Sequence, residues 1–188
     1  MVPDIRRAIV ALLALTVLLG GVYPVAIWAI SQVAFHDQAQ GSLIVRNGKV
    51  VGSSLLAQSF TSDRYFHPRP SAVDYNASAS AACNLGPNSQ DLAEVVKQRL
   101  ADVARTERIA PALVPVDLVT ASASGLDPDI SRQGALIQVD RVARARGLDP
   151  AKVRALVQSR IDSPTAGLLG ATRVNVLDLN LALDDLSR

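Results

Sequence analysis

From Ala8 to Phe35 the chain contains no Asp, Glu, Lys or Arg, and AIVALLALTVLLGGVYPVAIWAI is apolar almost throughout. A bilayer core is crossed by about 20 apolar residues at a rise of about 1.5 Å each, so the run predicts a transmembrane helix over residues 8–31. Arg6 and Arg7 precede it, and no Lys or Arg follows until Arg46. The positive-inside asymmetry puts residues 1–7 in the cytoplasm and residues 36–188 outside it. A cleaved signal peptide is the competing reading, but its apolar core runs to only about 7–15 residues. The best cleavage position, around Ala26–Ala29, also carries the bulky Trp28. Within the span, Pro24 removes a backbone donor and predicts a kink. Gly20 and Gly21, one turn earlier, leave a groove that a second helix can approach. Tyr23 and Trp28 fall in the outer half, where an aromatic ring suits the headgroup belt.

The pattern then changes. Ser42–Val51 reads as a hairpin with Asn47-Gly48 at the two φ > 0 positions of a tight turn. Thr61–Pro87 is rich in Ser, Asn, Pro and Ala, shows no sustained period, and predicts one long irregular segment. Asn88 is placed as the N-cap of a helix whose apolar face is Leu92, Val95, Val96, Leu100 and Val103. Leu113–Val119 reads as a strand, and Arg132–Arg146 as one helix stopped by Gly147. Asp149-Pro150 opens another helix with Val153, Leu156, Val157 and Ile161 inward. The tail RVNVLDLNLALDDL predicts a short strand turning into a helix. The fold class is α+β: a single N-terminal transmembrane helix followed by one extracytoplasmic mixed α/β domain.

Composition narrows the function. The chain has 188 residues, 19 Lys and Arg against 17 Asp and Glu, and a net charge of +2. That balance excludes a nucleic-acid binder with a dense phosphate-neutralising face, and 4% aromatics leave little to stack bases. A single cysteine, Cys83, excludes an internal disulfide, and two histidines, His36 and His67, exclude a multi-histidine metal centre. Cys83 reads as a small buried residue. No P-loop, G-x-S-x-G elbow or H-E-x-x-H is present. His67, wedged between Phe66 and Pro68, fits a packing or hydrogen-bonding role better than that of a general base.

Two polar segments exceed what plain loops need. In Tyr65–Ser89, Pro68, Pro70 and Pro87 stiffen the backbone while Asn and Ser side chains can bond to it. Arg64 and Arg69 could pair there with Asp63, Asp74 or a partner. Tyr65, Phe66 and Tyr75, taken as exposed beside Arg69, are residue types that dominate interface energy. With His67 and Asn84 they form the candidate docking set. In Val116–Ser131, Asp117, Asp127 and Asp129 gather carboxylates beside Thr and Ser hydroxyls. That set could take a hard cation through oxygen, but it lacks the spacing of a calcium loop, and helix caps and loop anchors are the alternative.

YFHPRPSA, ACNLGPNS, DLVTASASGLDPDIS and RVNVLDLNLAL, in this order after one N-terminal anchor, closely resemble the C subunit of the Kdp-type potassium-transporting P-type ATPase. The resemblance covers essentially the whole chain. Ala82-Cys83 stands where Gly-Ser or Ser-Ser is expected, and Ala123 where Gly is usual. The resemblance implies a non-catalytic subunit of an inner-membrane complex that imports potassium at the expense of ATP. The implied partners are the pore-forming and ATP-hydrolysing subunits and the membrane. It further implies a role in assembly, or as a catalytic chaperone raising the ATP affinity of the pump subunit. No firmly bound cofactor is implied, ATP being met only through that pump subunit. Neither a D-K-T-G-T phosphorylation motif nor a TVGYG-type filter occurs in the chain. A membrane-anchored extracytoplasmic enzyme and a free periplasmic binding module are the alternatives from other classes.

Overall fold

The structure, a computed structural model, describes residues 2–164 and 167–186. It separates into two compact units, one up to Leu43 and one from Ile44 onward.

The first unit is helical. Helix α1 (Val2–Val17) runs through a π-turn (Leu18–Val22) into α2 (Tyr23–Ala34), and α3 (His36–Ala39) follows. Pro3–Ala34 is long and apolar enough to cross a membrane, with a mean hydropathy of 2.3 over an 18-residue stretch. The helix is longer at both ends than the predicted span 8–31: Asp4, Arg6 and Arg7 are also helical, and it continues to Ala34. The π-turn explains how Pro24 is accommodated. Pro24 has no N–H for the helical ladder, and its ring crowds the carbonyl one turn back. The ladder widens just before it, and the Tyr23 N–H reaches the Leu18 carbonyl, five residues back. Thr16 and Ser31 turn their hydroxyls onto the carbonyls of Leu12 and Ile27, both at 2.8 Å. This keeps polar groups satisfied inside an apolar segment.

The second unit mixes helices with two two-stranded sheets. Strands β1 (Leu43–Arg46) and β2 (Lys49–Ser53) form the expected hairpin. Asn47 and Gly48 both have positive φ, 52° and 73°, matching the strand twist. After the irregular stretch comes α4 (Gln90–Glu107). Its cap is Ser89 rather than Asn88, because the Ser89 hydroxyl accepts the Leu92 N–H. The Leu113–Val119 segment is not a strand. It forms two 3-10 turns, Pro111–Leu113 and Val116–Leu118, each preceded or opened by a proline that cannot donate to a sheet.

Strand β3 (Asp129–Ser131) pairs antiparallel with β4 (Arg173–Asn175), Ile130 opposite Val174. The Arg132–Arg146 helix is two helices, α5 (Arg132–Leu136) and α6 (Val139–Arg146). The break falls at Gln138, whose amide Nε2 bonds to Gly134 O at 3.0 Å and to the His67 carbonyl at 3.1 Å. Gly147 (φ 68°) ends α6, and Asp149 caps α7 (Pro150–Ser159) by accepting the Ala151 N–H. Helix α8 (Val176–Leu186) follows β4 directly. The core lies where α5–α8 meet the β3–β4 pair. Ile130, Ala135, Val139, Val142, Val153, Val157, Val174, Leu179 and Leu183 are buried there.

Candidate functional site

The segment that leads into the polar loops is threaded through this core and clamped by buried side chains. Phe66 is fully buried. Its N–H donates to Asn180 Oδ1 at 2.8 Å, and its carbonyl accepts from Asn180 Nδ2 at 2.9 Å. One residue on, the His67 N–H donates to Gln138 Oε1 at 2.7 Å. Arg141 Nη1 donates to the carbonyls of Asp63 (2.7 Å) and Tyr65 (2.9 Å), Nη2 to Gln138 Oε1 (2.7 Å) and Nε to Glu107 Oε1 (2.8 Å). Irregular backbone in a core carries donors and acceptors that must be met. Two amides and one guanidinium meet them here as a neighbouring strand would.

Phe66 is therefore not the exposed docking residue expected, since its ring is core and only its main chain is polar. Tyr65 is half-buried. Its hydroxyl lies 3.3 Å from Asp184 Oδ2, and the Arg146 guanidinium sits 4.7 Å from its ring centre. His67 Nε2 is 3.1 Å from the Ser62 carbonyl, an acceptor, so Nε2 carries the proton. Burial, then the nearby Arg141 charge, lower the His67 pKa from 6.5. The unfolded chain therefore takes up the proton first, and the stability that neutral His67 contributes is lost as pH falls below about 6.5.

Arg69 does not pair with Asp63 or Asp74. Its Nη1 reaches Asp127 Oδ2 at 2.7 Å. Nor does Arg64, which bonds to the Ala145 carbonyl at 3.3 Å. Tyr75 is half-buried with its hydroxyl on the Arg69 carbonyl. Asn84 is exposed and bonds to the Ala82 carbonyl. Cys83 is exposed, not buried, as are the five residues that follow it, Asn84–Asn88.

The two polar segments lace together. Ser71 Oγ donates to the Gly125 carbonyl (2.6 Å), the Ala81 N–H to the Ser124 carbonyl (3.1 Å), and the Ser122 N–H to the Pro70 carbonyl (3.4 Å). Gly125 has φ +70°, and a Cβ there would come within 2.7 Å of Val73 Cγ2. Only glycine closes this seam. The three carboxylates do converge on one depression of about 360 Å³ that also holds Arg69 and Arg173. Each has an intramolecular task. Asp117 accepts the Ser131 N–H (2.6 Å) and hydroxyl (3.0 Å), and Ser131 in turn caps α5. Asp127 holds Arg69, and Asp129 lies 3.2 Å from Arg173. Burial raises the pKa of Asp129 against the pull of Arg173.

Glu107, Gln138, Arg141 and Asn180 escaped the sequence reading. Their signal was a polar residue on an inward helical face: Gln138 and Arg141 among Val139, Val142 and Ala143, and Asn180 inside LDLNLAL.

The family described as K+-transporting ATPase, c chain, matches residues 5–185. Relatives named "Potassium-transporting ATPase KdpC subunit" are 50% identical in Rhodopseudomonas palustris (strain TIE-1) and 53% identical in Rhodopseudomonas palustris (strain BisB18), each alignment covering 98% of both chains. One from Cereibacter sphaeroides (strain ATCC 17029 / ATH 2.4.9) is 50% identical over 184 residues, again 98% of both chains. The apolar helix, the clamped segment and the laced loops are thus features of a protein that aligns end to end with these relatives, and the chain belongs to the KdpC family, the c chain of K+-transporting ATPases.

Proposed function

We propose that this chain is the non-catalytic C subunit of an ATP-driven potassium importer, anchored in the bacterial inner membrane by its one long apolar helix. Its N-terminus lies in the cytoplasm and its second unit outside. The role we assign is assembly: the second unit presents a rigid surface of laced loops on which the pore-forming and ATP-hydrolysing subunits are held together. The carrying observation is the lacing itself. Irregular segments normally move, yet Tyr65–Ser89 and Val116–Ser131 are tied to each other and, through the buried clamp on Asp63–His67, to the core. A surface ordered before binding spares the entropy of ordering it on contact. A catalytic-chaperone role at the nucleotide would need the second unit in the cytoplasm, and Arg6-Arg7 argue against that orientation.

The single, exposed Cys83 makes topology directly testable. In sealed cells a membrane-impermeant maleimide is expected to label it without permeabilisation. Labelling only after the membrane is opened would reverse the orientation and restore the nucleotide reading.

The carboxylates give a second expected result. Asp117→Asn breaks the relay that caps α5 and lowers stability by about 1 kcal/mol, read as a shift of the urea midpoint. The triple variant Asp117→Asn, Asp127→Asn, Asp129→Asn leaves the potassium half-saturation of ATP hydrolysis by the assembled complex unchanged, because these groups are spent on Arg69, Arg173 and Ser131. A weakened half-saturation at low salt that recovers as ionic strength rises would show instead that they concentrate cations.

A further inference from the structure

His67 stands where the buried clamp passes into the laced loops. Both of its main-chain groups are held by one side chain: its N–H donates to Gln138 Oε1 at 2.7 Å, and its carbonyl accepts from Gln138 Nε2 at 3.1 Å. Its ring reaches back to the Ser62 carbonyl at 3.1 Å, closing residues 62–67 around the two carbonyls that Arg141 holds. The ties that lace the polar segments begin two residues further on, with Arg69 to Asp127, Pro70 to Ser122 and Ser71 to Gly125. Between ring and seam lie Pro68 and Pro70. Their fixed φ passes a shift of His67 along the chain rather than absorbing it.

Charge makes this junction conditional. Neutral, the half-buried ring needs no counter-ion. Protonated, it adds a cation beside the Arg141 guanidinium, which already takes up the charge of Glu107. The Ser62 carbonyl and Asp63 favour the imidazolium, while burial and Arg141 oppose it and prevail. From α4, Asp102 and Glu107 line a recess of about 220 Å³ with His67, Thr106 and Gln138, and Arg144 of α6 acts on Glu107. The recess gives an imidazolium room to hydrate, with the Asp102 carboxylate on its wall.

We propose that His67 is an acid-operated latch on the laced loops. Neutral, it holds the 62–67 turn shut and the seam closed. Protonated, its ring leaves the Ser62 carbonyl for the recess, and the loops unlace while the helical core stays folded. An opened segment carries an imidazole near the ordinary value of about 6.5, and the closed one lies lower. The open form therefore takes the proton first, and opening grows as pH falls through about 6.5 until the closed form is protonated too. Glu107 lies between α4 and α6, which stay packed in both states, so its own titration weights the whole unit and not the latch. Only the consequence, release of partners in acid, rests on the assembly surface proposed above.

The test follows the full-length chain in detergent from about pH 7.5 to about pH 5, the span in which histidine changes charge. Hydrogen exchange, corrected for the intrinsic effect of pH on the rate, is read on peptides from 69–89 and 116–131, which hold the Ala81 and Ser122 amides of the seam, and on peptides from α7 and α8. The loop peptides are expected to lose protection about fivefold or more relative to the helices. The midpoint of that loss should match the His67 imidazole titration, followed by NMR in the chain carrying His36→Gln. His67→Gln, which takes up no proton, is expected to keep its loops protected throughout. Loops that hold their protection in the wild type overturn the proposal. So does an equal loss in α7 and α8, a midpoint apart from that of His67, or a loss in His67→Gln that matches the wild type. If His67→Gln does not fold, the wild-type comparison of midpoints decides alone. In the complex purified from membranes, partner recovery is expected to fall over the same range in the wild type and not in His67→Gln. Loops that unlace while the partners stay bound leave the latch standing and refute the assembly surface.

Discussion

Arg141→Ala lowers the unfolding free energy of the second unit by about 3–5 kcal/mol, the range seen when one member of a buried ion pair is removed. The side chains of Arg141 and Glu107 are only 3% and 4% exposed. Deleting the guanidinium strands a carboxylate in the core, unpairs the carbonyls of Asp63 and Tyr65, and leaves Gln138 with one donor fewer. Since domains are stable by only about 5–15 kcal/mol in total, the variant should be marginal at 37 °C.

The loss has a pH signature. Burial raises the Glu107 pKa from 4.5, Arg141 pulling it back only in part. With Arg141 gone it rises further. A carboxyl whose folded pKa exceeds its unfolded one is most stabilising below the unfolded value, and that stability drains away as pH climbs through the folded value. Arg141→Ala should therefore be closest to wild type near about pH 4.5 and fall away toward neutrality. His67 adds an opposite slope, so the informative comparison is Arg141→Ala against Arg141→Ala with Glu107→Gln. The second variant should lose the pH dependence and recover part of the stability. Equal urea midpoints for the two across this range would show that the carboxylate is not what the guanidinium compensates.

Phe66→Ala costs about 3–5 kcal/mol through lost burial and the cavity it leaves, and at about 2–4 °C per kcal/mol for a chain of this size it lowers the thermal midpoint by roughly 10 °C. Phe66→Leu, which keeps most of the volume, should cost under about 1.5 kcal/mol. Any failure of Phe66→Ala to assemble should vanish at a temperature where the variant is folded, because the ring is fully buried in the core cluster that includes Leu179 and Leu183 rather than open to a partner. A variant that melts like wild type yet loses its partners would put Phe66 back on the docking surface.

Local signals decided the parts of this fold that are local. The uncharged run from Ala8 to Phe35 needs no partner to be apolar. Asn47-Gly48 sets its own turn, Asp149-Pro150 starts its own helix, and Gly147 ends one, all through backbone preferences of one or two residues. Even the order of loops and helices followed from period and proline placement. The cap at Ser89 in place of Asn88 is a one-residue slip between two good capping residues, which only the path of the chain resolves.

The long-range pairings were another matter. Phe66, Tyr65 and Arg69 lie within five residues of one another and are alike in interface propensity, yet one is core, one packs under Arg146, and one meets Asp127. Gln138, Arg141 and Asn180 read as blemishes on apolar faces until the Asp63–His67 backbone is seen running past them. Nothing in the neighbourhood of Asn180 names Phe66 as its partner. That assignment belongs to tertiary structure, because an irregular backbone buried in a core has no ladder of its own. Its donors and acceptors must be met by whichever side chains the packing of distant helices brings within about 3 Å.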